Sequence, residues 1–359
     1  MAKIGKYIFG ILNSHTNLQL TIPKAFILNE DESHMAVYTI PYRDLSALVR
    51  DSKGVGFPSK SKVTLARMLI GHQAVIERIM ALGATIIPMK LGTYAQDENE
   101  VKAILNEGYP LMKEIMEKIA DKIEIDVVAT WSHFNSTVKD VGEEKEIKEF
   151  KEKLLSHPQG ATVDDQMKIG LMIKKALDER RAGVSREILD RLQAVSEDSR
   201  IHELMDDQMV MNVAFLITRA KHKDFEEKVE ELNKTMQEKL HFRCVGPLPP
   251  YSYYTLEATK LLFGEIDRAR KRLGLLKERA TRGEIRNAYK AMAISFHPDR
   301  NPNAPGIEKE YDDITQAYNV LCEYCRKDFC SFEEAEFDKN AILIRVLGSP
   351  FNHRSHPNG

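Results

Sequence analysis

The sequence is poor in cysteine, with four among 359 residues, which excludes the disulfide-dense scaffold of a small secreted domain. It has no apolar run near the roughly 18 to 20 residues that cross a bilayer, so no membrane-spanning helix is expected. No charge of either sign dominates: 52 Lys and Arg stand against 54 Asp and Glu, a formal net charge of −2. That excludes a global basic surface for nucleic acid and a strongly acidic tail. The first residues, Met1 to Lys6, lead into an apolar stretch interrupted by Asn13, His15 and Asn17, without the h-region of a secretory signal. Also missing are a Gly-rich phosphate loop, a nucleophile elbow, a His-Glu-x-x-His helix and a pair of catalytic carboxylates. What remains, 43% apolar and 30% charged, is ordinary for a globular chain, and the length is that of two or three domains. The expectation is a cytoplasmic protein that is no enzyme and holds no cofactor. Composition alone assigns it no task.

Hydrophobic periodicity gives the layout. Lys6 to Leu12, His34 to Ile40 and Asp44 to Asp51 read as short strands. Leu65, Met68, Leu69, His72, Val75, Ile76, Ile79 and Met80 recur at helical steps, so Lys60 to Leu82 reads as a helix. Thr85 to Leu91 reads as a strand, and Asn99 to Asn106 and Pro110 to Lys122 as two helical pieces split at Gly108. From Ile123 to Trp131 apolar residues alternate with Glu124, Asp126, Val128 and Thr130, the pattern of a half-buried strand. A charged helical stretch, Val141 to Ser199, is broken near His157 to Gly160. A strand buried on both faces follows over Gln208 to Thr218, then a helix striped by Phe225, Val229, Leu232, Met236 and Leu240, then a strand from His241 to Val245. Strand, helix and strand recur in both halves, which predicts an α+β class with helices packed on antiparallel sheet. After Thr255 only helices are expected until Ala341 to Leu347, and the end, Ser349 to Gly359, is expected to fray.

The helical part has a distinctive layout. Thr281 and Glu284 form a capping box, and Ile285, Ala288, Tyr289, Met292, Ala293 and Phe296 then make one apolar face. Arg282, Arg286 and Lys290 recur every four residues as a basic stripe away from it. The helix ends at His297-Pro298-Asp299, and after a polar loop a second helix carries Tyr311, Ile314, Ala317, Tyr318, Leu321 and Cys325. Leu273-Gly274-Leu275, Glu284-Ile285-Arg286-x-Ala288-Tyr289-Lys290, His297-Pro298-Asp299-Arg300-Asn301 and Ala317-Tyr318-x-Val320-Leu321 together resemble a J domain of the DnaJ class, over about residues 264–330. Such a resemblance implies an all-α helical hairpin that docks on a DnaK-type heat-shock chaperone and stimulates its ATP hydrolysis. His297, Pro298 and Asp299 would be the essential loop, with Arg286 and Lys290 as electrostatic contacts. Asn287, Ala291 and Ser295 stand where that family often has Lys or Arg, so the basic face is thin.

The first 256 residues point elsewhere. Val37 to Val49 with its Tyr42-Arg43-Asp44, His72-x-x-Val75-x-Glu77-x-x-Met80 followed by Ile87 to Thr93, Asp207 to Leu216, and Gly246-Pro247-Leu248-Pro249-Pro250-Tyr251 occur in an order similar to the gas vesicle protein GvpL/GvpF family. The resemblance implies two α+β domains, the first a modified ferredoxin-like unit, and an accessory role in assembling gas vesicles alongside their small hydrophobic shell protein. Domains are expected at 1–132, 133–258 and 259–335 with a tail at 336–359. Taken residue by residue, Tyr42-Arg43-Asp44 also reads as a strand-to-turn ion pair, His72 as a packing histidine, and Pro247 to Pro250 as a rigid turn.

Cys322, Cys325 and Cys330 with His353 and His356 have the residue types of a zinc site, but 27 residues separate Cys325 from His353, about twice the zinc-finger spacing. Packed or surface thiols are expected instead, with no metal. The combined expectation is a gas vesicle assembly factor that binds the shell protein and other vesicle accessory proteins and recruits a DnaK-type chaperone, located at the gas vesicle in the cytoplasm. Two alternatives stay open: a minor structural vesicle component with a docking-only J domain, and a general co-chaperone with other clients.

Overall fold

The computed structural model describes residues 4–14, 18–23, 34–52, 62–155, 162–236, 239–302, 304–325, 328–337 and 342–347. The chain folds into two compact units, one of Met1–Arg78, Ile86–Glu114 and Leu256–Leu347, the other built mainly from Ile115–Thr255.

The first unit opens on an antiparallel sheet. Strands β1 (Gly5–Leu12), β2 (Gln19–Pro23), β3 (His34–Tyr42), β4 (Leu45–Ser52) and β5 (Ile86–Pro88) lie in the order β2-β3-β4-β1-β5, and β6 (Tyr94–Ala95) pairs with β1. β1 is apolar on both sides because both are covered: Ile8, Phe9, Ile11 and Leu12 are all buried. Gly10 is required there, since a Cβ at that position would stand 2.8 Å from the carbonyl oxygen of Ile87. Helix α1 (Lys62–Ala81) brings His72 and Val75 inward, and α2 (Glu98–Ile119) brings Val101, Ile104, Leu105 and Met112. The two helical pieces expected around Gly108 are one helix. Pro110 lies inside it and removes a single N–H from the ladder, a loss the long buried face of α2 outweighs.

The second unit has a four-stranded antiparallel sheet of β7 (Lys122–Trp131), β8 (Asp198–Ile201), β9 (Met209–Thr218) and β10 (Leu240–Leu248), ordered β10-β7-β9-β8. β9 is central and is buried on both faces, as its apolar run requires. Helices α3 (Phe134–Gly142), α4 (Lys145–Leu155), α5 (Val163–Gln193) and α6 (His222–Met236) accompany it, and α6 buries Phe225, Val229, Leu232 and Met236. The break expected near His157 to Gly160 lies outside the described residues. A four-residue turn, α7 (Tyr251–Tyr254), closes the unit. The class is α+β, as the periodicity predicted.

Beyond Thr255 the expectation of helices alone up to Ala341 is overturned, while the strand expected over Ala341 to Leu347 is found at Ile342–Leu347. Strand β11 (Thr255–Lys260) comes first, then α8 (Phe263–Arg272), β12 (Arg279–Thr281), α9 (Arg282–Ser295), α10 (Ile307–Tyr324), β13 (Phe329–Ser331) and β14 (Ile342–Leu347). β11 pairs with β14, and β12 with β13. Strands this short carry too few side chains to show a period. Through β11 the pair joins the first sheet's surroundings: the Lys90 N–H donates to the Leu256 carbonyl at 2.7 Å, and the Lys90 ammonium meets Glu257 at 2.5 Å. Lys260 reaches Glu100 at 3.3 Å, and Arg345 of β14 pairs with Glu323 of α10 and lies 3.7 Å from Glu257. The helical module is therefore an insertion held at both ends, its entry and exit strands hydrogen-bonded to each other.

Candidate functional site

The module has its own core of Ile266, Leu273, Ile285, Tyr289, Ile314 and Leu321, to which α8, α9 and α10 all contribute. The Tyr289 and Tyr318 rings stack at 4.2 Å and join α9 to α10. The capping box at the start of α9 is present: Thr281 Oγ1 accepts from the Glu284 N–H at 3.2 Å, and the Thr281 N–H donates to Glu284 at 2.8 Å. The Thr281 N–H and the Thr281 hydroxyl, which donates at 2.9 Å, together with Lys277 at 3.2 Å, hold the Glu284 carboxyl down to about 2.

Between α9 and α10, His297 caps a single turn of 3-10 helix, Pro298–Arg300. Its Nδ1 accepts from the Asp299 N–H at 3.2 Å, and its ring lies edge-on to Tyr311 at 5.3 Å. Asn301 donates from its side chain to the carbonyls of Ser295 (2.9 Å) and His297 (3.1 Å), fastening the loop to the end of α9. These bonds fix the loop and leave its charge outside, with the Asp299 side chain 89% exposed. Arg286 and Lys290 are exposed on α9. The structure thus brings the loop and both basic residues onto one hairpin.

Other singled-out residues have structural roles. Asp44 takes its partners from α2 rather than from Arg43: Lys113 and Tyr109 both donate to it at 2.6 Å, which holds the carboxyl down to about 2. Arg43 lies over the Tyr109 ring at 4.5 Å, with its backbone in the left-handed region. His72 is buried, its Nδ1 2.6 Å from the Tyr7 hydroxyl, and burial pushes it down to about 4, so it packs as a neutral ring. Pro247 and Leu248 lie at the end of β10, and Pro250 precedes α7. Cys325 and Cys330 are buried, each with its Sγ toward the Ala280 carbonyl, and burial pushes both thiols up. His353 and His356 lie outside the described residues, and among the described ones no three His, Cys, Asp or Glu side chains are grouped as a metal site.

A further cluster has no counterpart in the sequence pattern. Glu124, expected on the open face of its strand, is buried, because α7 folds over the start of β7. The Ser252 N–H and hydroxyl donate to its two oxygens at 2.9 and 2.8 Å, and His202 Nε2 lies 3.0 Å from the same hydroxyl. Tyr253 packs on Ala214 and Leu216 beside it and donates to the Ala214 carbonyl at 2.9 Å. Burial and the neighbouring Asp126 push the Glu124 carboxyl up to about 8, and burial raises Asp126 as well. The signal that could have found it is the aromatic run after Pro250, a cap in search of a surface.

The two parts of the chain have separate relatives. The model of the family described as gas vesicle synthesis protein GvpL/GvpF matches residues 5–255. The chain belongs to the GvpL/GvpF family. Among its relatives, gas vesicle protein F of a Nostoc species is 22% identical over 251 residues, covering 69% of this chain and 97% of that one. Gas vesicle protein F of a Streptomyces species is 27% identical over 209 residues, covering 58% of this chain and 84% of that one. The crystal structure of GvpF from an Anabaena species superposes with a TM-score of 0.58 at 22% identity, covering 69% of this chain and 97% of that one, and shows the shared fold. The DnaJ domain model matches residues 271–328, and the chaperone protein DnaJ of Ehrlichia ruminantium is 43% identical over 51 residues, 14% of this chain and 13% of DnaJ. This GvpL/GvpF chain therefore carries a J domain inserted between paired strands. No helix among its described residues is long and apolar enough to cross a membrane.

Proposed function

We propose that this chain is a gas vesicle assembly factor that holds the hydrophobic shell protein and brings a DnaK-type chaperone to it. The observation that carries the reading is the pairing, in one polypeptide, of a GvpL/GvpF region with a fully formed His297-Pro298-Asp299 loop beside exposed Arg286 and Lys290. The labour then divides at about residue 259, with client binding before it and chaperone docking after it. Strand-edge and apolar surfaces of an unassembled shell subunit associate indiscriminately, and tethering the chaperone raises its effective concentration at that client. ATP hydrolysis belongs to the partner, and the place of work is the vesicle under assembly in the cytoplasm.

Two measurements test it. Full-length chain should co-purify with the gas vesicle shell protein and not with unrelated unfolded clients; equal capture of both would favour a general co-chaperone. The same chain should accelerate ATP turnover of its cognate DnaK-type chaperone, and Arg286→Glu with Lys290→Glu should raise the concentration for half-maximal effect about tenfold or more. The loss should be greatest at low salt, since a steering stripe acts within a Debye length. Stimulation by the wild-type chain that is absent altogether would leave a docking-only module in a structural component.

A further inference from the structure

Helix α5 spans 31 residues, and its start is fixed by a capping box in which Thr162 accepts from the Asp165 N–H at 3.2 Å. Its buried residues are Leu177, Ile188 and Leu192. Its first turns carry an uncovered apolar row at i, i+4 and i+8: Val163 is 72% exposed, Met167 63% and Leu171 66%. Between them a Cβ built on Gly170 would meet nothing within 4 Å. Three large apolar side chains at successive turns make a contiguous patch, unlike the isolated exposed apolar residues that any surface carries.

We propose that this face pairs with the same face of a second copy of the chain, the two helices running antiparallel. The charges flanking the patch select that occupant. Asp164 lies at the N-terminal end of the patch, and Lys174 and Lys175 lie at its C-terminal end. In an antiparallel pair centred on Ile169, each Met167 meets the second copy's Leu171, and each Asp164 meets the second copy's Lys174 and Lys175. The two-fold axis makes every such contact twice. A parallel pair would instead stack Asp164 on Asp164 and lysines on lysines, a repulsive arrangement. Opposed helix dipoles add in the same direction, and Gly170 leaves room for the second copy's backbone at the centre. Three turns of helix bury well under the roughly 1,200 Å² of a stable interface, so the association is weak and set by concentration.

Sedimentation velocity on the full chain, from about 1 to about 200 µM, should show monomer passing into dimer and no larger species. Leu171→Lys should keep the chain monomeric throughout, with circular dichroism unchanged because the position is exposed. Asp164→Lys should raise the dissociation constant about tenfold or more, and combining it with Lys174→Asp and Lys175→Asp should restore it. A monomer over the whole range overturns the proposal. So does a dimer indifferent to Leu171→Lys, or a triple variant no tighter than Asp164→Lys alone, because only the antiparallel register predicts rescue.

Discussion

Asp299→Asn should return the ATP turnover of a DnaK-type chaperone to its unstimulated rate, while the melting temperature of the chain stays unchanged. The loop does not depend on the carboxylate for its shape. Its turn is set by Pro298, by the Asp299 N–H donating to His297 Nδ1, and by the Arg300 and Asn301 N–H groups donating to the His297 carbonyl at 3.1 and 3.2 Å. Asparagine has the same size and keeps one carbonyl acceptor, so it removes a charge and little else. A charge-assisted hydrogen bond to a partner's arginine or backbone is worth about 1.5 to 3 kcal/mol, a tenfold to hundredfold loss in docking before any effect on the signal. Undiminished stimulation by the variant would sink the assignment of this loop. An equal drop in melting temperature would make Asp299 a structural residue instead.

The second large effect concerns pH and the second unit. Glu124 has a folded-state pKa raised to about 8, with burial as the main cause, whereas in the unfolded chain it titrates in the ordinary carboxylate range. The folded state therefore holds a proton that the unfolded state has already released. The stability this contributes is complete below the ordinary carboxylate range and drains away as pH rises toward about 8. Over that window the loss is on the order of a few kcal/mol. Glu124→Gln is neutral at every pH; its carbonyl can accept the Ser252 N–H, and the Ser252 hydroxyl, which then faces the amide, can turn to accept from it. The melting temperature of the variant should be nearly flat from pH 5 to 8, where that of the wild type falls, and should lie above it at pH 8. Parallel curves for the two proteins would show that Glu124 ionises freely and that the α7 cap is open in solution.

Much of this was legible from local pattern. Helix α9 with its capping box, the apolar stripes of α10 and α6 and the doubly buried β9 announce themselves because their signals lie within a few residues. The loop at His297 was legible for the same reason, since Pro298 stops α9 and the apolar stripe of α10 resumes after it. What escaped depends on partners distant in the chain. Glu124 reads as a solvent-facing strand residue until Ser252, brought over by α7, covers it. β11 is six residues long, and it is its pairing with β14 that makes it a strand. Pro110 marked a helix boundary by its chemistry, and the apolar residues on both sides of it overruled that mark.

The β11–β14 pair also imposes an order of events on synthesis. β11 leaves the ribosome first, and its only partner in that two-stranded ladder is made after the whole module has been translated. While the intervening residues are unfolded, closing so long a loop costs entropy that a ladder of six-residue strands repays poorly. Once the module has folded its ends are held together, and β14 can add at little further cost. β14 thus locks only when the J-domain module before it has folded. A nascent chain with an unfolded module leaves unpaired the β11 edge that β14 takes.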